Sequence, residues 1–339
     1  MISTVYAAVA RYRRHYYAIH PHLQRSLSRP VISIGNLAVG GRAKTPLAAL
    51  AASRLRDFGE TPSILSRGYA RRDAPDGVVV VRDPRGIRAD LDRSGDEPLM
   101  LARQLDGVAV LVSSSRYLAG RLAEHHFDCT VHVLDDGFQH FGLHRDADLL
   151  VIGREDLERP RTLPAGRLRE PLESAASADA FLALDDVDEG RVRDLAAARL
   201  DRTGVDRPVW RARRTQGAAT TGEPGAGTIA PSAGPAIAVA GIAHPADFFD
   251  GLRASGWTIA QERGFRDHHP YSRGDVSAIF DAARTSGARV VLTTEKDFVR
   301  LLPFRPFAVP VAYVPLTLEI DPRAAFDEWL RHMVDRARR

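Results

Sequence analysis

The stretch VISIGNLAVGGRAKTPLAALAASRL, residues 31–55, decides the fold class. An apolar run typical of a strand leads into a glycine-bearing loop, and a helical pattern follows. Glycines allow backbone N–H groups to turn toward phosphate oxygens, while Lys44 can reach the β- and γ-phosphates and Thr45 can ligate Mg²⁺. The residues of this predicted nucleotide site are Gly40, Gly41, Arg42, Ala43, Lys44 and Thr45.

This loop departs from a strict Walker A pattern, because Ala38 and Ala43 occupy positions where that pattern has glycine. An ordinary glycine-rich turn between a strand and a helix is the alternative interpretation. The order of strand, loop, Lys-Thr and helix favours nucleotide binding.

A second acidic motif, VHVLDDGFQH at residues 131–140, supplies candidate metal ligands. Asp135 and Asp136 end an apolar run, where a carboxylate can hold Mg²⁺ directly or through water. An Asp-Asp-Gly turn is one alternative. A metal-hydrolase site is another, and its four candidate ligands are Asp136, His140, His144 and Asp148.

Apolar, β-rich runs alternate with helical patterns along the chain, which predicts an α/β fold with mostly parallel sheets. The length of 339 residues suits two domains. We expect two α/β/α domains, the first resembling a P-loop NTPase. The predicted units are an N-terminal helix region at 1–30, a P-loop domain at 31–213, a flexible linker or insertion at 214–235 and a smaller α/β domain at 236–339.

The basic residues are almost all arginine, since only Lys44 and Lys296 among 47 Lys plus Arg are lysine. Where only charge matters, arginine serves as well, so the two lysines suggest sites that need a compact ammonium. The single cysteine, Cys129, excludes a disulfide framework.

The N-terminal segment carries Ile2, Val5, Val9 and Tyr12 at helical spacing, with arginines beside them. This pattern is typical of a helix that lies in a membrane interface. A helix packed on the protein's own surface is the alternative. No apolar stretch approaches the roughly 20 residues that a spanning helix needs.

Taken together, the motifs resemble the tetraacyldisaccharide 4′-kinase family, which phosphorylates a lipid A precursor. The resemblance covers nearly the whole chain. Its motifs are GNLAVGGRAKTP (35–46), SRGY (66–69), GDEP (95–98), LDDGFQH (134–140), LPAGRLREP (163–171), GIAHPADFF (241–249), DHHPY (267–271) and TEKD (294–297).

The resemblance implies a role for each matching residue. Asp96 is expected to act as base on the acceptor hydroxyl with His268 as its partner. Arg116 and Arg169 are expected near the transferred phosphate and the lipid phosphate, with Lys44 as a further catalytic residue. Thr45, Asp135 and Asp136 are expected to hold magnesium. The implied substrate-binding residues are Asn36, Ser66, Arg67, Tyr69, Glu97, Gln139, His140 and Arg169.

Several of these residues also have simpler structural interpretations. Asp96 and Glu97 could cap the helix that starts at Pro98, and His268 could bond to a loop carbonyl. Arg169 could pair with a glutamate on the surface, either Glu170 or Glu173. Lys296 could pair with its neighbour Asp297.

The resemblance also implies ATP and Mg²⁺ as cofactors, a lipid disaccharide substrate and peripheral attachment at the cytoplasmic face of the inner membrane. No nucleic-acid partner is expected, and a monomer is favoured. One alternative is a catalytically weakened nucleotide- or lipid-binding homologue, because Ala43 replaces the glycine before the lysine. A P-loop switch acting on a protein partner is another, but it leaves GDEP and DHHPY unexplained.

Overall fold

Strand β1, which precedes the phosphate loop, lies inside a ten-stranded sheet. The computed structural model describes residues 2–40, 43–69, 71–197, 207–222 and 227–339. The strands of this larger sheet are β1 (Val31–Asn36), β2 (Pro62–Ser66), β3 (Val79–Asp83), β4 (Gly86–Ile87), β5 (Ala109–Val112), β6 (Val131–Asp135), β7 (Ala147–Ile152), β8 (Ala180–Leu184), β9 (Val209–Gln216) and β16 (Leu316–Asp321). Their spatial order is β16-β9-β8-β7-β1-β6-β2-β5-β3-β4.

The strands from β9 to β5 in that order run parallel, and the strands at both edges run antiparallel. Strand β1 pairs with β6 on one side and with β7 on the other. Ile34 lies opposite Asp135, so the end of β6 stands beside the start of the phosphate loop. Parallel neighbours bring their carboxyl ends to one sheet edge, which is where α/β proteins bind ligands.

Helices cover the apolar faces of both sheets. The described helices are α1 (Ile2–Ile19), α2 (Lys44–Asp57), α3 (Leu91–Ser94), α4 (Asp96–Gln104), α5 (Arg116–Phe127), α6 (Arg154–Glu158), α7 (Glu189–Ala197), α8 (Pro245–Ala254), α9 (Arg273–Ser286), α10 (Glu295–Leu301) and α11 (Arg323–Ala337). Residues of α2, α4 and α11 share one buried cluster with the larger sheet. Side chains of α5 belong to a separate apolar cluster on the opposite face of that sheet.

A second sheet of six strands forms the core of the smaller domain. Its strands are β10 (Ala219–Thr221), β11 (Thr228–Ile229), β12 (Ala236–Ala240), β13 (Ile259–Gly264), β14 (Val290–Thr294) and β15 (Val311–Val314). The four strands β15-β14-β12-β13 are parallel, and separate apolar clusters cover the two faces of the sheet. The predicted α/β class with mostly parallel sheets is therefore confirmed.

The structure corrects the predicted end of the smaller domain, since β16 and α11 return to the larger one. Strand β16 pairs along β9, and its alternating pattern buries Leu318 and Ile320. Helix α11 packs Phe326 edge-on against Trp210. Without β16, one edge of β9 would be unpaired, so β16 completes the larger sheet. Helix α11 buries its apolar stripe against the same sheet.

The segment predicted as a flexible linker, 214–235, is also partly regular. Its first residues complete β9, and two short strands, β10 and β11, pair with each other in the smaller sheet. Strand β10 also pairs with β15. Residues 223–226 of the segment lie outside the described residues.

Helix α1 lies on the protein with none of its residues buried. Arg14 anchors it, because its guanidinium makes a two-pronged contact with Glu170 at 2.6 and 2.7 Å. The apolar side chains of Ile2, Val5 and Val9 are 60–73% exposed. Among the described residues, no helix is both long and apolar enough to cross a membrane.

Candidate active site

The phosphate loop places Lys44 at the first position of α2. Lys44 Nζ donates to Asn36 Oδ1 at 3.0 Å and to the carbonyl oxygen of Gly40 at 3.3 Å, and it lies 3.4 Å from Asp136 Oδ1. The ammonium is thus held at the N-terminus of a helix, where the dipole favours an anion. Gly41 and Arg42, which were predicted to bind the nucleotide, lie outside the described residues.

Ala43 adopts the left-handed conformation just before α2, with φ 55° and ψ 21°. Glycine takes this conformation freely, whereas a Cβ there costs on the order of 1 kcal/mol. The side chain is buried in the main apolar cluster. The loop therefore keeps the backbone geometry of a glycine while carrying an alanine.

The two acidic residues at the end of β6 sit in contrasting environments. Thr45 Oγ1 lies 3.3 Å from Asp135 Oδ2. Burial raises the pKa of the Asp135 carboxyl to about 7, and the nearby carboxylates of Glu97 and Asp136 add to that rise. Burial also opposes ionisation of Asp136, but Lys44 and Arg169 outweigh it and hold the pKa of that carboxyl below its ordinary value. The site therefore holds one ionised carboxylate beside a second, Asp135, for which the nearby charge of Lys44 does not offset burial and the neighbouring carboxylates.

Arg169 reaches into this acidic pair from the LPAGRLREP segment. Its Nη1 donates to Asp136 Oδ2 at 2.8 Å and lies 3.4 Å from Gln139 Oε1. The backbone of the same segment runs along the phosphate loop, where the N–H of Arg169 donates to the carbonyl oxygen of Leu37 at 2.6 Å. The structure differs from the alternative pairing of Arg169 with a surface glutamate, because Arg169 pairs with Asp136 and Glu170 is buried against Arg14.

Arg116 begins α5 and is 5% exposed, yet its Nε has no hydrogen-bond partner among the described residues. Burial and the charge of Arg67 lower the pKa of Arg116 to about 10. The half-buried His140 lies nearby, and burial together with Arg116 lowers the pKa of its imidazole to about 4. A buried, under-bonded guanidinium next to other cations is well suited to bind an anion.

Asp96 is a buried carboxylate at the start of α4, and the structure pairs it with His268. His268 Nδ1 lies 3.0 Å from Asp96 Oδ2. Asp96 Oδ1 accepts from the backbone N–H of Glu97 at 2.9 Å, so the carboxylate also satisfies a helix-terminal donor. His268 itself has φ 56°, a conformation that is uncommon outside glycine and concentrates at functional sites.

Two basic residues that were not predicted as site residues, Arg300 and Lys296, contact this pair. Arg300 is 6% exposed, and its Nε donates to Asp96 Oδ2 at 2.7 Å while its Nη2 contacts the same oxygen. Lys296 Nζ lies 3.0 Å from both Glu97 Oε1 and His268 Nε2. The alternative pairing of Lys296 with Asp297 is wrong, because Asp297 binds Arg300.

Burial opposes ionisation of Asp96, but three neighbours outweigh it. The hydrogen bond from His268 and the charges of Lys296 and Arg300 hold the pKa of Asp96 well below its ordinary range. Lys296 and Arg300 lie on α10 of the smaller domain, four residues apart on one helix face. Only the tertiary structure brings that face to α4.

The SRGY motif, residues 66–69, lies beside the Asp96–His268 pair. Ser66 is buried at the end of β2, and its carbonyl oxygen accepts from the N–H of Ser113 at 3.1 Å. The ring of Tyr69 lies edge-on to that of His268, with 5.3 Å between centroids, and the tyrosine is 68% exposed. Tyr69 therefore forms an accessible wall beside the Asp96–His268 pair.

The metal-hydrolase alternative fails on geometry. Asp148 is held by Arg145 through contacts of 2.9 to 3.1 Å, and His144 lies 3.6 Å from Asp146. Within the described ranges, no three His, Cys, Asp or Glu side chains converge as metal ligands.

The family model described as tetraacyldisaccharide-1-P 4′-kinase, LpxK, matches residues 1–335. A tetraacyldisaccharide 4′-kinase from Bradyrhizobium sp. (strain ORS 278) is 38% identical over 343 residues, which covers 99% of this chain and 93% of that relative. A tetraacyldisaccharide 4′-kinase from Nitrobacter winogradskyi is 40% identical over 316 residues, which cover 91% of this chain and 87% of that relative.

A solved structure, the "apo" form of LpxK from Aquifex aeolicus in complex with ATP, has a similar fold. The two chains superpose with a TM-score of 0.77 at 28% sequence identity, covering 98% of this chain and 97% of the other. The family model and the relatives both extend over nearly the full length of the sequence. The chain therefore belongs to the tetraacyldisaccharide 4′-kinase family.

Proposed function

We propose that this enzyme transfers the γ-phosphate of ATP to the 4′-hydroxyl of a tetraacyldisaccharide 1-phosphate in lipid A biosynthesis. The observation that carries the proposal is the proximity of a phosphate loop to a buried carboxylate–imidazole pair. Glu97 links them, since it follows Asp96 in α4 and lies close enough to raise the pKa of Asp135. Family membership and the ATP complex of the Aquifex aeolicus structure support the same reaction.

In this proposal the phosphate loop binds ATP. Lys44 approaches the β- and γ-phosphates from the N-terminus of α2, where unpaired backbone N–H groups favour an anion. The residues proposed to bind the phosphates are Gly40 and Ala43, together with Gly41 and Arg42, which lie outside the described residues. Arg116 and Arg169 stabilise the charge that spreads over the transferred group.

Magnesium fits the same end of β6. The proposed ligands are Thr45, Asp135 and Asp136, all oxygen donors of the kind that Mg²⁺ prefers. Asp136 Oδ1 is buried and has no well-aligned hydrogen bond among the described residues, and Asp135 is buried without a direct cationic partner. A bound Mg²⁺ would neutralise charge on the β- and γ-phosphates.

Asp96 serves as base for the acceptor hydroxyl, with His268 as its partner. A sugar hydroxyl is a weak nucleophile, so a positioned carboxylate that takes its proton assists formation of the new P–O bond. The lowered pKa of Asp96 keeps the carboxylate ionised, so its oxygens are unprotonated before the reaction. Residues around the two clusters complete the proposed substrate site, namely Asn36, Ser66, Arg67, Tyr69, Glu97, Gln139, His140 and Arg169.

Helix α1 is proposed to attach the enzyme to the cytoplasmic face of the inner membrane. Its exposed apolar stripe of Val5, Val9 and Tyr12, each at least 60% exposed, lies on a helix whose arginines suit anionic head groups. Arg14 ties that helix to Glu170, the neighbour of Arg169. The lipid acceptor resides in a bilayer, so attachment brings the site to its substrate.

One experiment tests the reaction and the attachment together. Purified protein is given ATP, Mg²⁺ and the disaccharide 1-phosphate, presented either in detergent or in anionic vesicles, and product is measured by mass. We expect transfer in both settings. The double variant Val5→Glu, Val9→Glu should lose most of its activity with vesicles and keep it in detergent. Absence of product in detergent would contradict the kinase proposal, while an unchanged vesicle rate in the variant would contradict attachment through α1.

A further inference from the structure

Lys296 touches the distal nitrogen of the catalytic histidine, and this contact constrains where the imidazole proton lies. Lys296 Nζ is 3.0 Å from His268 Nε2, 3.0 Å from Glu97 Oε1 and 3.6 Å from Asp267 Oδ1. Burial lowers the pKa of the Lys296 ammonium, but Glu97, Asp96 and Asp267 outweigh it and raise that pKa. The lysine is therefore an ammonium, which has three donors and no lone pair.

A donor at Nε2 requires that Nε2 carry the lone pair of a neutral imidazole. The proton then sits on Nδ1, and Nδ1–H donates to Asp96 Oδ2 across 3.0 Å. These two contacts leave one tautomer that satisfies both. In this arrangement His268 orients the carboxylate and does not itself take the proton of the acceptor.

Arg300 constrains the other partner, Asp96. Its Nε and Nη2 both contact Oδ2, the same oxygen that accepts from His268. Oδ2 thus faces three donors, whereas Oδ1 accepts, among the described residues, only from the N–H of Glu97. Oδ1 is the carboxylate oxygen that retains capacity for a further hydrogen bond.

A buried network fixes Arg300 in turn. Its Nη1 donates at 2.8 Å both to Asp297 Oδ1 and to the carbonyl oxygen of Gly241. Asp297 also accepts from Tyr271 at 3.1 Å and Thr294 at 2.6 Å. A Cβ at Gly241 would lie 2.8 Å from Asp297 Oδ1, so a larger residue there would displace the carboxylate that holds Arg300. The guanidinium is therefore rigidly placed.

We propose that Lys296 and Arg300 are positioning residues of the phosphoryl transfer: Lys296 fixes His268 as the Nδ1–H tautomer, and Arg300 occupies Asp96 Oδ2, so that Oδ1 receives the proton. This inference rests on the proposed function. The acceptor oxygen bonds to the γ-phosphorus, the bond from that phosphorus to the bridging oxygen breaks, and its electron pair leaves with ADP. The hydroxyl proton moves to Asp96 Oδ1, while His268 stays neutral.

The tautomer is tested without substrate, by long-range ¹H–¹⁵N correlation on full-length protein labelled at histidine. The His268 signal is assigned by its loss in His268→Gln. We expect a protonated Nδ1 and an unprotonated Nε2 in the wild type, and a shift to another tautomer or to imidazolium in Lys296→Met. Glu97→Gln is the matched control, since it removes the carboxylate partner of Lys296 but leaves the contact with His268. An Nε2–H tautomer in the wild type, or an unchanged spectrum in Lys296→Met, would overturn the proposal.

Kinetics supply the second readout. Lys296→Met and Arg300→Lys should each lower kcat roughly 10- to 100-fold and change the KM for ATP by less than about 3-fold, because they disturb proton transfer and spare the phosphate loop. Arg253→Met, which breaks an exposed ion pair of the smaller domain, is the control for a general loss of stability. Equal losses in kcat and ATP affinity would indicate a structural role and overturn the assignment. A wild-type enzyme without kinase activity would instead refute the proposed function, and the tautomer measurement would still stand.

Discussion

The phosphate loop and the Asp96–His268 cluster are the two parts of the proposed site, and they are built differently. The loop is a continuous segment in which a strand, a turn and a helix N-terminus follow one another between Val31 and Asp57. The cluster joins α4 of the larger domain to a loop and to helix α10 of the smaller one. Backbone geometry determines the first region, and ionic side-chain contacts between domains determine the second.

This difference predicts how binding and stability change when a side chain is removed from each region. In the loop, the helix N-terminus and neighbouring N–H groups remain when a side chain is removed, so binding is shared among many groups. In the cluster, each cation is buried against one or two carboxylates, and removal of a partner leaves a charge without compensation. The two regions should therefore differ in their kinetic signatures when a side chain is changed.

The largest effect is expected for Lys44→Ala. This change removes the ammonium that contacts Asn36 and Asp136, so both ATP affinity and turnover should fall. We expect kcat/KM for ATP to drop by about 10³-fold, comparable to losing a main electrostatic contact of a transition state. Steady-state kinetics with ATP binding by calorimetry measures both losses. Arg154→Ala, which breaks an exposed ion pair, is the control and should behave as wild type.

Asp96→Asn should produce a different signature. It keeps the shape of the side chain but removes the proton acceptor, so we expect kcat to fall about 10²-fold or more with ATP affinity nearly unchanged. His268→Ala should also lower kcat. Wild-type turnover in Asp96→Asn would remove the base assignment. A parallel loss of ATP affinity would show that the cluster and the loop are less separate than the contacts indicate.

Asp96→Asn also leaves Arg300 with one carboxylate fewer, so thermal unfolding must accompany the kinetics. Arg300 retains Asp297, and the destabilisation should stay at or below about 3 kcal/mol. A variant that is folded at the assay temperature and inactive therefore reports on proton transfer rather than on folding.

The comparison also explains what the sequence could predict. The loop, Asp135 and Asp136 were identified because their residues are adjacent in sequence and their pattern has a physical basis. The parallel strands were found from continuous apolar runs. Strand β9, in contrast, has the sequence VWRARRTQ, in which arginines obscure the strand pattern, and the alternating pattern of β16 is only six residues long.

The cluster could be predicted only in part. The family resemblance indicated Asp96 and His268, because their motifs are recognisable, but no local pattern relates Arg300 to a carboxylate 204 positions earlier. Lys296 gave one hint, as one of only two lysines in the chain. Residue spacing cannot report contacts that depend on how two domains meet.

The smallest effect is expected at Ala43, and it tests whether the loop is weakened by its departure from glycine. Ala43→Gly relieves a left-handed alanine, which costs on the order of 1 kcal/mol, but it also adds about 0.4–1 kcal/mol of entropy to the unfolded chain. These terms nearly cancel, so the free energy of unfolding should change by less than about 1 kcal/mol. Denaturant titration of both proteins measures this difference.

The functional consequence of Ala43→Gly should be larger than its effect on stability. Glycine removes the Cβ from the backbone turn that leads into Lys44, so we expect ATP affinity to rise a few-fold and kcat to remain similar. A wild-type enzyme that is inactive and gains activity in Ala43→Gly would show that alanine is the defect. If both proteins bind ATP and neither forms product, the weakened homologue becomes the better description. Because Ala43 belongs to the loop alone, the tautomer of His268 should be the same in both proteins, and a change there would show that the two regions are coupled.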